Sequence, residues 1–264
     1  MSGISTRAAG HGEMLVWSLL IGTSFPTAEY LVRDAHPLPL TGVRFLIAAL
    51  LLVPAAARVA LNPRRLIIWA ILGALLAVFF WAQFQALRTV GSVELSLLYL
   101  LSPPGTAILA WYANREYLHP VPLAGFAVVL YLVIQYLILP VPTDLMALLA
   151  RPGSQIYLLG CAAVIGYAVL SRGAILRNWL PAAAATTTFW SLLFAGVLLC
   201  LVGVTRLPEV AQWHWDHWWR LVYLAVFTSI LSYWLMQRAL QKLHPAIVVA
   251  YGAVVPLWVA LLPF

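Results

Sequence analysis

Nine apolar stretches separated by short polar breaks run along the chain: 14–33, 39–57, 66–87, 93–113, 119–139, 155–176, 182–204, 219–239 and 245–264. Each is close to the ~20 residues a helix needs to cross the ~30 Å hydrocarbon core of a bilayer. The pattern predicts an all-α polytopic membrane protein whose consecutive helices are antiparallel neighbours. Residues 1–13, MSGISTRAAGHGE, read as a short, mobile, cytoplasmic N-terminal tail. The run after Glu13 is too long for a signal-peptide core and is not followed by an A-x-A-like site, so it reads as the first true span.

The stretches repeat. At a shift of 153 residues, Phe80–Trp111 overlies Tyr233–Phe264, matching Trp81 with Trp234, Ala86-Leu87 with Ala239-Leu240, Pro103 with Pro256, and Ala107 with Ala260. At a shift of 144, Leu15 matches Leu159, Ile21-Gly22 matches Ile165-Gly166, Pro37 matches Pro181, and Phe45 matches Phe189. The chain therefore reads as two copies of one unit: residues 14–139 with five spans, a connector at 140–154 outside the cytoplasm, and residues 155–264 with four spans. Five is odd, so the second copy must enter the membrane from the opposite side. Inverted-topology repeats of this kind are a plan of transporters that alternate access about a midplane site.

Composition sharpens the class. Hydrophobic residues make up 64% of the chain and charged residues 9%, and mean hydropathy is +0.94, far from soluble composition. The net charge of +7 is spread singly between apolar runs, which argues against nucleic acid as a partner and for topology determinants. With the N-terminus in the cytoplasm, Arg7, Arg58, Arg64, Arg65, Arg115, Arg172, Arg177, Arg238 and Lys242 face that side. Arg33, Arg88, Arg151, Arg206 and Arg220 face the other, and Arg44 lies within a span. That asymmetry favours a cytoplasmic N-terminus, with the inner (plasma) membrane of a bacterium as the expected location. Cys161 and Cys200 both sit in apolar stretches and read as small core residues rather than a disulfide.

Candidate chemistry is sparse. Glu29 and Arg44 lie at similar depth in a predicted hairpin, where ionisable groups are costly and therefore candidates for gating; the structural alternative is a buried ion pair or a snorkelling arginine. Trp17, Ser24, Trp81, Gln83, Gln85, Ser96, Tyr99, Tyr167, Trp190, Trp234, Gln237 and Tyr251 form a set of polar and aromatic cavity candidates. The Gln amides need inward partners, and the aromatics could instead be packing or interface belt. Trp81 and Trp234, as repeat mates, are expected on opposite walls of one central cavity. Pro103, beside Pro104, and Pro256 should break their helices near mid-membrane, where broken helices tend to line solute paths. The loop QWHWDHWW, 212–219, reads as an interfacial anchor; His214, Asp216 and His217 crowd too closely to make a convincing metal site, so no metal is expected. No nucleotide-binding loop, metalloprotease or nucleophile-elbow pattern occurs, so neither a cofactor nor ATP drive is expected.

The run Gly22-Thr23-Ser24-Phe25-Pro26, Pro37-Leu38-Pro39-Leu40 leading to Val43-Arg44-Phe45-Leu46, Ser102-Pro103, and Glu116 after the fourth span resemble the EamA family of the drug/metabolite transporter superfamily. Ile21-Gly22 stands where that family usually has Trp-Gly, and Arg115-Glu116 where it has Gly-Glu. The resemblance covers nearly the whole chain. It implies ten helices in two five-helix repeats, of which the second here lacks its last. It also implies ATP-independent export of a small metabolite, amino-acid-like or similar, with a small-molecule solute and the bilayer as partners. A homodimer is left open. Two other classes remain: an intramembrane enzyme acting on a lipid-linked substrate, and a non-transporting or truncated scaffold.

Overall fold

The computed structural model describes residues 2–56, 62–117, 127, 131 and 145–261. Apart from residues 127 and 131, the fifth predicted span lies outside them, as do residues 140–144 of the connector. Eight long helices account for the other eight predicted spans: α1 (Ser2–Leu31), α2 (Pro37–Leu51), α3 (Pro63–Ala86), α4 (Ser92–Asn114), α5 (Pro152–Leu176), α6 (Ala184–Val202), α7 (Trp215–Leu240) and α8 (Pro245–Leu261). No strand occurs among the described residues. Helices α3 to α7 are each long and apolar enough to cross a membrane, and α2 and α8 are shorter apolar helices.

Two boundaries depart from the hydropathy pattern. Helix α1 begins at Ser2, inside the expected mobile tail, and Glu13 on it is held by ion pairs to α7 and the turn after it. The polar tail is thus the first turns of a helix, held by these ion pairs and by the approach of Gly10 to Leu243. Helix α2 stops at Leu51, short of the predicted 57; beyond Leu52 a separate helical turn, Val53–Ala56, contains Pro54, which cannot donate to a carbonyl one turn back and so interrupts the α2 hydrogen-bond ladder. Starts are clearer than stops. His36 and His244 each precede a proline at N1, and their Nδ1 atoms accept the N–H of Leu38 at 3.3 Å and Ala246 at 3.2 Å.

Helices α2, α3, α5 and α6 pack closely, with α6 lying against both α2 and α3 and α3 against α5. Small residues allow this approach. A Cβ on Gly73 of α3 would lie 2.5 Å from Cβ of Phe194 and 2.9 Å from the carbonyl oxygen of Ser191 on α6. A Cβ on Gly160 of α5 would lie 2.9 Å from Ala82 of α3. Close backbone approach is what binds helices in lipid, where apolar burial contributes little. Gly73→Val should therefore force α3 and α6 apart and cost about 2–3 kcal/mol of overpacking, read as a lower melting temperature in detergent; an unchanged melting temperature would contradict this packing.

Helices α4 and α8 cross as an antiparallel pair, the first half of α4 against the last half of α8, and the reverse. Each is interrupted by a 3-10 turn, Tyr99–Leu101 in α4 and Tyr251–Val254 in α8, and the two turns touch. The cause is the same in both. Pro103 cannot donate to the Tyr99 carbonyl, which accepts instead from the N–H of Ser102; Pro256 cannot serve Gly252, whose carbonyl accepts from Val255. A proline one turn on converts an α bond into a 3-10 bond. Gly252 lies against the Tyr99 ring so closely that its Cα hydrogen takes the place a side chain would need.

Candidate functional site

The space beside this crossing is walled by Trp17, Ile21, Ser24 and Phe25 of α1, Phe79, Phe80 and Gln83 of α3, Tyr99 of α4, Val164 of α5, Tyr233 and Met236 of α7, and Val255 of α8. It encloses only about 20 Å³, close to the least that a single water requires. Aromatic edges fill the rest. Phe80 meets Tyr233 at 5.8 Å between centroids, Phe79 meets Phe80 at 4.9 Å, and Phe79 meets Tyr99 at 6.3 Å. The wall is mostly apolar, with Gln83 its principal polar group. Gln83 is buried, at 2% exposure. Trp17 Nε1 is buried without a partner.

Above this space, toward the Glu29 end of α1, a wider vestibule of about 500 Å³ is lined by Pro26, Thr27, Glu29, Tyr30, Arg33, Ser92, Val93, Arg220 and Val259. Glu29 lies 3.9 Å from Arg33 and accepts the N–H of Ser92 at 3.1 Å, near the first turn of α4. Arg220 bonds Asp216 at 3.0 Å and stacks 4.0 Å over Tyr30.

The opposite end is crossed by ion pairs and hydrogen bonds. Oε1 of Glu13 accepts from Arg238 Nε at 2.8 Å and from Lys242 Nζ at 2.7 Å. Arg172 of α5 pairs with Glu116 at 3.1 Å and donates to the Leu240 carbonyl at 2.9 Å, capping the end of α7. His244 Nε2 lies 3.3 Å from the Glu116 carbonyl. Burial pushes the His244 imidazole below its ordinary value, with the bond to Glu116 opposing; the neutral ring accepts at Nδ1 and donates at Nε2. Tyr251 bonds His11 at 2.8 Å at this same end.

The predicted residues divide. Trp17, Ser24, Gln83 and Tyr99 stand in the central wall, and Pro103 and Pro256 set the turns beside it. Tyr167 and Gln237 meet each other instead, at 2.6 Å, with Ser171 at 3.2 Å, in a buried polar cluster between α5 and α7. Ser96 bonds only its own helix, to the Val93 carbonyl. Trp190 stacks on Trp69 at 5.5 Å, packing α6 on α3. Neither Gln85, Trp81 nor Trp234 lines the central space, and Trp234 carries Arg238 over its ring at 4.7 Å. The expectation that Trp81 and Trp234 face each other across it is corrected: neither lines it, whereas the mates Phe80 and Tyr233 meet there and the mates Gln83 and Met236 are both in its wall. One residue along a helix is a rotation of about 100°, enough to turn a side chain off the wall.

The Glu29–Arg44 ion pair does not form. Arg44 is wholly buried. Its Nε donates to Ser229 Oγ at 2.8 Å, and Nη2 donates to the Thr228 carbonyl at 3.0 Å and to Thr228 Oγ1 at 2.7 Å. These acceptors lie in a π-helical turn of α7, Val226–Leu231. Such a turn widens the helix and leaves carbonyls available to a neighbour. The Trp-rich segment expected as a loop is helical from Trp215 onward, opening α7; there Asp216 is engaged by Trp219 at 2.7 Å and by Arg220, while the rings of His214 and His217 stand 6.2 Å apart. No group of three metal-ligating side chains occurs among the described residues.

The sequence matches the EamA-like transporter family over residues 10–137 and 153–264. The chain belongs to that family. Two family domains thus cover most of its length, and the protein is an integral membrane protein of the drug/metabolite transporter type. Nineteen chains among solved structures match it. One, described only as the crystal structure of a protein, superposes with a TM-score of 0.69 at 19% identity, covering 97% of this chain and 86% of that one. At that identity the likeness concerns the fold alone. No curated protein matches.

Proposed function

We propose that this EamA-family protein moves a small, partly apolar solute through the space walled by Phe80, Gln83, Tyr233 and Met236, alternating access between its two ends. The observation that carries the reading is that these four residues are repeat mates in pairs, at the shift of 153, and come together at one point. The antiparallel crossing of α4 with α8 supports inverted repeats, since mates in an inverted pair run oppositely through the membrane. The open vestibule at the Glu29 end and the ion pairs at the Glu13 end describe a conformer closed at one face. By the distribution of basic residues, the Glu13 end faces the cytoplasm.

A reconstituted-vesicle experiment tests this. Proteoliposomes loaded with a mixture of small metabolites should lose a subset faster than protein-free vesicles, with every lost solute recovered unmodified outside. Gln83→Leu should slow that loss roughly three- to tenfold, the worth of one neutral hydrogen bond in a buried site. Equal retention in both kinds of vesicle, or recovery of chemically altered material, would defeat the transporter reading.

A further inference from the structure

We infer that the solute carries an anionic group, a carboxylate or its equivalent, which Arg44 receives from behind the ring of Phe80; this rests on the transporter reading above. Arg44 is the only lysine or arginine buried from solvent among the described residues. None of the ion pairs among those residues involves it. Its hydrogen bonds go to two hydroxyls and a carbonyl, all neutral, and its Nη1 is buried with no acceptor. The rings of Phe80, Phe45 and Phe84 surround the guanidinium, with Cζ 4.9, 5.5 and 5.7 Å from their centroids.

Phe80 belongs to two environments at once. It covers Arg44 on one side and forms the wall of the central space on the other, where Tyr233 meets it. The cation is therefore about one ring away from the place a solute would occupy. Aromatic faces and neutral acceptors offset only part of the cost of a buried charge that lacks a counter-ion. An anion reaching Nη1 as Phe80 turns aside would cancel the charge and complete the hydrogen bonding. A neutral solute of the same shape would do neither, and a cation would be repelled. Glu29 cannot take that role, being engaged in the vestibule by Arg33 and the N–H of Ser92. Differential stabilisation of this kind is what a ligand needs in order to shift a conformational equilibrium.

Three matched probes decide the matter: 3-phenylpropanoate, 3-phenylpropanamide and 3-phenylpropylamine, titrated calorimetrically into the full chain in lipid nanodiscs. The carboxylate should bind at least tenfold more tightly than the amide, with the amine weakest. Phe80→Ala, which removes the cover, should widen the margin of carboxylate over amide. Arg44→Gln should abolish that margin, whereas a merely structural arginine would weaken all probes alike. If Arg44→Gln does not fold, the wild-type and Phe80→Ala margins still decide. Equal binding of carboxylate and amide would overturn the anionic assignment while leaving the solute site intact. Failure of all three probes to bind either protein would remove the site itself, and with it the proposal that the solute passes through this space.

Discussion

Gly252→Ala is expected to lower the melting temperature sharply and to reduce flux in proteoliposomes to under a tenth. The new methyl group would overlap the ring of Tyr99 where the two 3-10 turns cross. Tyr99 has no ready retreat, since it is 6% exposed and backed by Phe79. The backbone at Gly252 has ordinary negative φ, as no glycine among the described residues is left-handed, so the damage is steric alone. Overpacking of this kind costs about 1–3 kcal/mol, and more where neither neighbour can yield. Adding Tyr99→Ala should restore much of the lost stability without restoring flux, because Tyr99 also forms the cavity wall. A Gly252→Ala protein with normal melting and normal flux would refute the tight crossing.

Glu13→Gln should open the other end. One carboxylate oxygen holds both Arg238 and Lys242; solvent screens the Lys242 pair weakly, at 16% and 12% exposure, and the Arg238 pair more, since Arg238 is 42% exposed. Charge-assisted bonds at such sites are worth about 1.5–3 kcal/mol, enough to shift a two-state population by roughly tenfold or more. A cysteine introduced as Leu243→Cys, at a position 4% exposed beside this latch, reports the change once Cys161 and Cys200 are replaced by alanine. Its labelling by a charged maleimide should accelerate about tenfold in Glu13→Gln and stay slow in Glu13→Asp. Equal labelling rates with and without the carboxylate would show that the latch does not hold this end closed.

Hydropathy alone made most of the fold legible, because lipid demands long apolar helices and leaves little else for such segments to become. Proline explained the mid-span breaks through a missing donor, a purely local cause. The site was legible only in part. Repeat register located α3 and α7 as walls, yet identity drew attention to Trp81 and Trp234, one residue away from the facing pair. Phe80 with Tyr233 and Gln83 with Met236 are not identities, and their place in the wall is a matter of helix rotation that no count of matches reports. The partner of Arg44 was hidden for a different reason. Thr228 and Ser229 look unremarkable within an apolar span, and the π turn that presents them has no sequence signature. Glu29 and Arg44 share a depth but point to different neighbours.

The coincidence of the two proline turns divides the molecule along an unexpected line. The leading half of α4 packs on the trailing half of α8 at the Glu29 end, and the remaining halves pack on each other at the Glu13 end. Each pair is drawn from both family domains, so the line through the turns separates the two ends of the helix pair rather than the two domains. If access alternates about this point, a substitution at either turn is expected to slow access from both ends together.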